Sequence, residues 1–433
     1  MTNWPSRPSP IIRAAASGFL ALIAAWIAYA MLGAPQLYSW AGATGLFALM
    51  FPLFLVIPAV AAACVAVFAA IRRERVNALL AGCAATSLAA LALWPPMAQW
   101  RIARAAGVEL SPSRYLSEAF AALHRTAPPH TFRYATITDG AGLELDWWPA
   151  ESAVRKPRPA LVMIHGGGWV EGGRSDMQAW DRWGQGLGYD VFDVSYRLPP
   201  PARWREEVGD VKCALGWIEA HAPSLGIDPS RISLIGYSAG GNLALLAAYS
   251  MRDGTLPPTC PAPPAPIRTV INLYGPSDLV QLRRNSATPA YVAKVTDAYV
   301  GGPPQLFRDR YRLLSPLAHV TPAAPPTISF LGENDRLVSR EQLTNLDAAL
   351  TRAAAPHESW LVPGADHVFD GDWGSFATQF ARAKAQAFLQ RFDPAPSPRA
   401  SPQPGGDAAT PQAARRARVD RADTSGSRPP PQT

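Results

Sequence analysis

The chain has 433 residues, more than one ordinary domain needs, so its length predicts two or three structural units. Its hydrophobic content of 48% suits a globular protein with a membrane part. The net charge of +7 rests almost wholly on arginines that are scattered along the chain, which argues against a nucleic-acid partner. The four cysteines lack CxxC or zinc-type spacing, so we expect no metal site. A disulfide between Cys213 and Cys260 stays an open question at this point.

The first 100 residues predict a membrane region. Residues 14–71 contain no charged side chain, which is long enough for two spanning helices of about 20 residues each. We predict helices over residues 14–32 and 46–71, and a third over 76–94 that ends at Pro95-Pro96. A cleaved signal peptide and buried core helices are the alternatives. They are weaker because no clear cleavage site precedes further apolar sequence, and because the helices have almost no polar face.

Basic residues flank these helices unevenly. Arg7 and Arg13 precede the first helix, and Arg72, Arg73 and Arg75 lie between the second and the third. The positive-inside rule assigns both segments to the cytoplasm. Three crossings of the inner or cell membrane then place everything after residue 100 on the non-cytoplasmic side.

The rest of the chain divides into three parts by pattern. Residues 101–130 predict a connector with an amphipathic helix near 113–124. Residues 131–392 alternate short apolar strands with helical stretches, which indicates an α/β fold with a doubly wound, mostly parallel sheet. Residues 393–433 hold nine prolines and too few large apolar side chains to bury, so we expect this tail to be disordered.

Eight strands and four helices are predicted in the α/β part. The first two strands, joined by residues 139–142, predict an antiparallel hairpin at one edge of the sheet. The predicted strands cover residues 132–137, 143–148, 160–164, 190–195, 232–235, 270–273, 327–331 and 358–362. The predicted helices cover residues 206–222, 240–251, 340–354 and 376–392.

The segment 236–240, with the sequence GYSAG, fits the G-x-S-x-G pattern of a nucleophile elbow. A predicted strand precedes it and a predicted helix follows it. A serine on such a tight turn projects its hydroxyl into a cleft, so we identify Ser238 as the candidate nucleophile. A chance glycine-serine turn is the alternative, and the strand-turn-helix context makes it weaker.

Residues 165–169, with the sequence HGGGW, directly follow a predicted strand. Glycines let backbone N–H groups face a reacting oxygen without obstruction, so we predict an oxyanion hole from Gly167, Gly168 and Ala239. A phosphate-binding loop is the poorer reading, because no G-x-G-x-x-G or following Lys-Ser/Thr is present. His165 itself is expected to be a structural hydrogen-bonding residue.

A serine nucleophile needs a base, and the base needs an orienting acid. In chain order the acid and then the base follow the serine in this kind of fold. Asp335 and His367 each come directly after a predicted strand. We therefore predict a Ser238–His367–Asp335 triad, with Glu333 and Asp366 as rival acids.

These motifs together resemble a known family. The segments HGGGW (165–169), YRL (196–198), IDPSRISLIGYSAGGNLAL (227–245), GENDRLV (332–338) and GADHVF (364–369) are similar to esterases of the hormone-sensitive-lipase-like group. The BD-FAE-like branch of feruloyl and acetyl esterases, which also resembles arylformamidases, is the most similar. The resemblance covers residues 130–392 and implies the α/β-hydrolase fold, the triad and the oxyanion donors named above. Tyr237 departs from the aspartate that many lipase-like relatives have before the nucleophile.

The sequence therefore predicts a membrane-anchored serine hydrolase that acts on short or medium acyl or acetyl esters through an acyl-enzyme. An amide or formamide substrate and a non-catalytic binding role are the alternatives. Trp169, Tyr237 and the segment 280–326 are expected to shape the pocket, the last as a small cap or as a surface excursion without a role. We expect no cofactor, a small-molecule or lipid ester as ligand, and the membrane as partner. The oligomeric state is not readable from the sequence.

Overall fold

The computed structural model describes residues 9–33, 36–137, 142–151 and 157–393. The predicted tail after Asp393 and most of the predicted hairpin turn lie outside the described residues.

The chain begins with four apolar helices. Ser9 caps the first of them by accepting a hydrogen bond from the Ile12 amide, and Ser39 caps the second by accepting one from the Gly42 amide. Three segments are long and apolar enough to cross a membrane, and only a minority of their side chains are buried: Pro10–Leu32, Pro52–Ile71 and Arg75–Ala105. The four helices are α1 (Pro10–Leu32), α2 (Trp40–Met50), α3 (Val56–Ile71) and α4 (Arg75–Ala105).

Two of the predicted helix boundaries were wrong. The stretch predicted as one helix over 46–71 is divided into α2 and α3 by a 3-10 turn at Pro52–Leu55, because Pro52 has no N–H to continue the ladder. The third helix does not stop at Pro95-Pro96 but continues to Ala105. Its second half is held by tertiary packing, since Pro95 lies against Gly364 and the Gln99 side chain donates to the Pro363 carbonyl at 3.2 Å.

The connector also differs from the prediction. Instead of one helix over 113–124, the structure has helix α5 (Pro112–Ser117) and a 3-10 turn at Ala121–Leu123. Gly374 packs against the backbone at the end of α5, where a Cβ would lie 2.6 Å from the Tyr115 carbonyl oxygen.

All eight predicted strands are present and form one sheet of order β1-β2-β4-β3-β5-β6-β7-β8. The pairs β1–β2 and β2–β4 are antiparallel, and the other pairs are parallel. The mostly parallel sheet and the edge hairpin are therefore confirmed. The strands are β1 (His130–Thr136), β2 (Gly142–Trp148), β3 (Arg158–Ile164), β4 (Asp190–Val194), β5 (Ile227–Tyr237), β6 (Ile267–Leu273), β7 (Thr327–Gly332) and β8 (His357–Val362).

Helices cover the sheet and build the core. The interior strands β3, β4 and β7 are buried along their whole length, as expected for strands covered on both faces. The predicted helices correspond to α7, α8, α12 and α13, while α6 was not predicted. The helices that follow α5 are α6 (Gln178–Gly186), α7 (Glu206–Leu225), α8 (Ala239–Tyr249), α9 (Leu279–Asn285), α10 (Pro289–Val300), α11 (Pro304–Leu313), α12 (Arg340–Arg352) and α13 (Phe376–Phe392).

Two features complete the architecture. The segment predicted as a cap or an excursion folds into α9, α10 and α11. Cys213 on α7 and Cys260 form a disulfide with a Cα–Cα distance of 5.6 Å, which settles the pairing that the sequence left open. Cys64 and Cys83, on the apolar helices, are free.

Candidate active site

Ser238 lies on a strained turn between strand β5 and helix α8. Its backbone has φ 53° and ψ −122°, a conformation that a side-chain-bearing residue adopts only when its surroundings impose it. Its amide donates to the Leu273 carbonyl at 2.9 Å, which ties the turn to strand β6. Gly240 lets the turn approach strand β3, because a Cβ at that position would lie 2.0 Å from the Ile164 carbonyl oxygen. The hydroxyl is thereby presented at the carboxyl edge of the sheet.

The structure brings Ser238, His367 and Asp335 into one hydrogen-bonded chain. His367 Nε2 lies 3.0 Å from Ser238 Oγ, and His367 Nδ1 lies 2.8 Å from Asp335 Oδ2. The other carboxylate oxygen of Asp335 accepts from the amides of Leu337 and Val338, at 2.9 and 2.8 Å. These two bonds fix the acid in the loop after β7, so that only one oxygen is directed at the imidazole.

The surroundings of His367 favour its protonated form. Burial disfavours the imidazolium, but the carboxylates of Asp335, Asp366 and Asp370 outweigh it and raise the pKa of His367 above its ordinary value of 6.5. Such a base accepts a proton readily and holds it beside Asp335.

The two rival acids have other partners. Asp366 pairs with the Arg336 guanidinium, whose Nε donates to Asp366 Oδ2 at 2.7 Å. Asp366 Oδ1 accepts from the backbone amides of Arg336 and His367. Asp366 therefore links the loop that carries Asp335 to the loop that carries His367. Glu333 forms only a half-exposed ion pair with Arg340 at 3.5 Å.

The predicted oxyanion donors lie around the elbow. Gly167 and Gly168 have φ values of +105° and +60°, and the Gly167 carbonyl accepts from the amides of Val170 and Glu171, both at 3.1 Å. This tight turn follows strand β3, beside the residues that Gly240 contacts. Ala239 is the first residue of α8, where backbone N–H groups have no partner within the helix.

The predicted pocket residues are mostly buried. The Trp169 ring is 2% exposed, stacks on Tyr299 of α10 at 5.2 Å, and donates from Nε1 to the Asn242 side chain at 3.3 Å. Tyr237 is 8% exposed and lies beneath Gly166. These two side chains support the loop and the cap more than they line open space.

His165 lies in the core beside this loop. It stacks on Tyr196, its Nδ1 is 2.9 Å from the Gly166 carbonyl, and burial lowers the pKa of His165 to about 4. The histidine is therefore neutral at physiological pH.

Sequence reasoning missed the residues that surround the base. Tyr274 has φ 44°. Its ring packs edge-to-face with the His367 ring, and the two ring centroids are 4.8 Å apart. Its hydroxyl donates to Asp370 at 2.7 Å, and the Trp180 indole donates to the other oxygen of the same carboxylate, also at 2.7 Å. Only the position of Tyr274 directly after strand β6 could have indicated it. Within the described ranges, no three His, Cys, Asp or Glu side chains are grouped as metal ligands.

A strained serine at a strand-to-helix turn, followed in chain order by an acid and a base after later strands, defines the α/β-hydrolase class of fold and site. Comparison with known proteins agrees with that class. Residues 147–350 match the BD-FAE family model, the branch that the sequence motifs resemble.

Named relatives and solved structures point the same way. Esterase LipC of Mycobacterium tuberculosis is 29% identical over 52% of this chain and 57% of its own length, and Esterase LipQ of the same organism is 30% identical over 52% and 53%. The chain thus spans about half the length of these curated relatives. The apo form of Thermogutta terrifontis esterase 2 has a TM-score of 0.52 at 24% identity, covering 63% of this chain and 98% of that one, which shows the shared fold.

Proposed function

We propose that this protein is a serine hydrolase of carboxylic esters, with Ser238 as nucleophile, His367 as base and Asp335 as orienting acid. The observation that carries the proposal is the continuous hydrogen-bonded chain from Ser238 Oγ through His367 to Asp335 Oδ2. The esterases among its relatives support an ester as the bond that is cleaved.

The chemistry follows from this geometry. Ser238 Oγ attacks the ester carbonyl carbon while its proton passes to His367 Nε2, and Asp335 stabilises the imidazolium. The amides of Gly167, Gly168 and Ala239 would hold the oxyanion of the tetrahedral intermediate. The C–O bond then breaks, and the alcohol leaves with the proton from His367. Water repeats the sequence on the acyl-enzyme, releasing the acid and returning a proton to Ser238.

The proposal includes a membrane anchor with the hydrolase domain outside the cytoplasm. The three long apolar helices support the anchor. At the end away from the hydrolase domain, Arg13 pairs with Glu74 at 2.6 Å beside Arg72 and Arg73, a placement typical of the cytoplasmic side. The disulfide on α7 supports an oxidising compartment for the domain.

Hydrolysis of p-nitrophenyl esters from acetate to octanoate by membranes that express the full chain tests the proposal. Ser238→Ala should lose nearly all activity. Its residual rate should exceed uncatalysed hydrolysis in water by roughly 10³- to 10⁴-fold at most. Ser224→Ala, an exposed serine at the end of α7, is the matched control. Equal rates in wild type and Ser238→Ala would refute the serine mechanism. Activity restricted to N-formyl aromatics, added to the same panel, would reassign the bond from ester to amide.

A further inference from the structure

The apolar N-terminal region contacts the catalytic loops directly. Arg336, next to Asp335, donates from Nη1 to the Ala30 carbonyl in the last turns of α1, at 3.3 Å. The Leu37 amide, between α1 and α2, donates to Thr288 Oγ1 at 3.0 Å, and that hydroxyl donates to the Arg336 carbonyl at 3.2 Å. The segment that joins the first two apolar helices is therefore packed beside the active site.

One aromatic pair of this segment reaches the candidate oxyanion loop. The Tyr38 ring packs against the Tyr291 ring of α10, with ring centroids 4.1 Å apart and ring planes tilted by 33°. The Tyr291 hydroxyl lies against Gly168, because a Cβ built there would be 2.8 Å from it. Tyr38 is 62% exposed, so its ring forms an outer edge beside that loop.

The chain that adjoins this edge is apolar, and Glu171 is a charged side chain close enough to act on both tyrosines. Residues 14–71 hold no charged side chain, and Trp40, two residues beyond Tyr38, is 90% exposed. On the same end of the helices, Phe51, Phe54 and Phe120 line an open apolar groove of about 270 Å³. Exposed aromatic residues at the end of spanning helices are typical of the membrane–water interface. An ester with a long apolar chain can thus keep that chain in the bilayer while its carbonyl group lies at the membrane–water interface.

We propose that the active site opens at the membrane surface past the Tyr38–Tyr291 pair, and that its substrates are amphiphilic esters whose apolar chain stays in the bilayer. This inference rests on the proposed esterase activity and narrows its substrate class. The apolar helices then supply one edge of the substrate entrance in addition to anchoring the enzyme.

The test compares two esters that share one leaving group, using the full chain reconstituted in phosphatidylcholine vesicles. One is p-nitrophenyl butyrate in solution, and the other is p-nitrophenyl palmitate dissolved in the vesicles. We expect the wild-type kcat/KM for the palmitate to exceed that for the butyrate, and Tyr38→Ala to lower this ratio by about tenfold. Trp40→Ala removes an exposed aromatic from the same segment and should leave the ratio within about twofold. Tyr38→Phe retains the ring and should keep the wild-type ratio.

The outcomes distinguish a failure of the amphiphile proposal from a failure of the proposed esterase activity. Ser238-dependent cleavage of the butyrate without cleavage of the palmitate would overturn the amphiphile proposal and leave the esterase intact. Equal changes of the palmitate-to-butyrate ratio in Tyr38→Ala and Trp40→Ala would overturn the role of Tyr38. Such changes would show only that the position of the protein in the membrane had altered. Rates for both esters that are unchanged in Ser238→Ala would refute the esterase itself.

Discussion

Replacing Asp366 by asparagine should damage both stability and catalysis, although Asp366 is outside the triad. Its side chain is 1% exposed and that of its partner Arg336 is 10% exposed. Burial and the nearby Asp335 carboxylate raise the pKa of Asp366 above its ordinary value despite the guanidinium. Burying the charged pair therefore carries a large desolvation free energy. Removing the Asp366 carboxylate then leaves the buried Arg336 guanidinium without its counter-charge.

The magnitude follows from what the substitution retains. An asparagine oxygen can still accept from the Arg336 and His367 amides, which now donate at 3.1 and 2.7 Å. The contact with the guanidinium is lost, and breaking such a buried pair costs roughly 3–5 kcal/mol. Because the pair joins the acid loop to the base loop, small displacements of either should lower kcat/KM by about 10- to 100-fold. The loss of a nearby negative charge should also lower the pKa of His367.

Equilibrium urea unfolding of the full chain in detergent, followed by tryptophan fluorescence, measures the stability change. Glu333→Gln is the control, because its ion pair with Arg340 is half-exposed and such pairs contribute about 0–1 kcal/mol. The double variant Arg336→Leu/Asp366→Leu should be less destabilised than the sum of its single variants, since it removes both buried charges together. A cost for Asp366→Asn no larger than that for Glu333→Gln, with unchanged kcat/KM, would falsify the reasoning.

Two further results are expected. Ester hydrolysis needs neutral His367, so kcat/KM should rise with pH through the pKa of His367 with a midpoint above 6.5, and a midpoint below that value would contradict the stabilisation of the imidazolium by its carboxylate neighbours. Replacing both Cys213 and Cys260 by serine removes a crosslink between residues separated by 47 positions and should lower the free energy of unfolding by roughly 2–4 kcal/mol. The same change at the free Cys64 and Cys83 should leave the hydrolase domain as stable as before, and equal stability of all variants in urea would show that the disulfide contributes nothing.

Much of the fold could be predicted because its determinants are local. The strands β3, β4 and β7 are short runs of buried residues, and helix α13 begins and ends at the predicted residues. The elbow around Ser238 has a local requirement as well, since a tight strand-to-helix turn needs small neighbours such as Gly240. Chain order places the base after Ser238, and among the histidines there only His367 directly follows a predicted strand.

Other features depend on which distant segments pack together, and no local pattern encodes that. The sequence offered Glu333, Asp335 and Asp366 as acids, and only loop geometry directs Asp335 at the imidazole while Asp366 pairs with Arg336. Helix α4 continues through two prolines because packing against the domain holds its second half.

By itself, the sequence determined the alternation of strands and helices, the apolar helices and the order of the reactive residues, because burial periodicity and turn chemistry act over a few residues. Tertiary structure decided that Tyr38 meets Tyr291 beside Gly168, and that Ala30 contacts Arg336. Such contacts join residues far apart in the chain, and their energy is gained only when whole elements dock. The attachment of the apolar region to the catalytic loops is therefore visible only in the folded molecule.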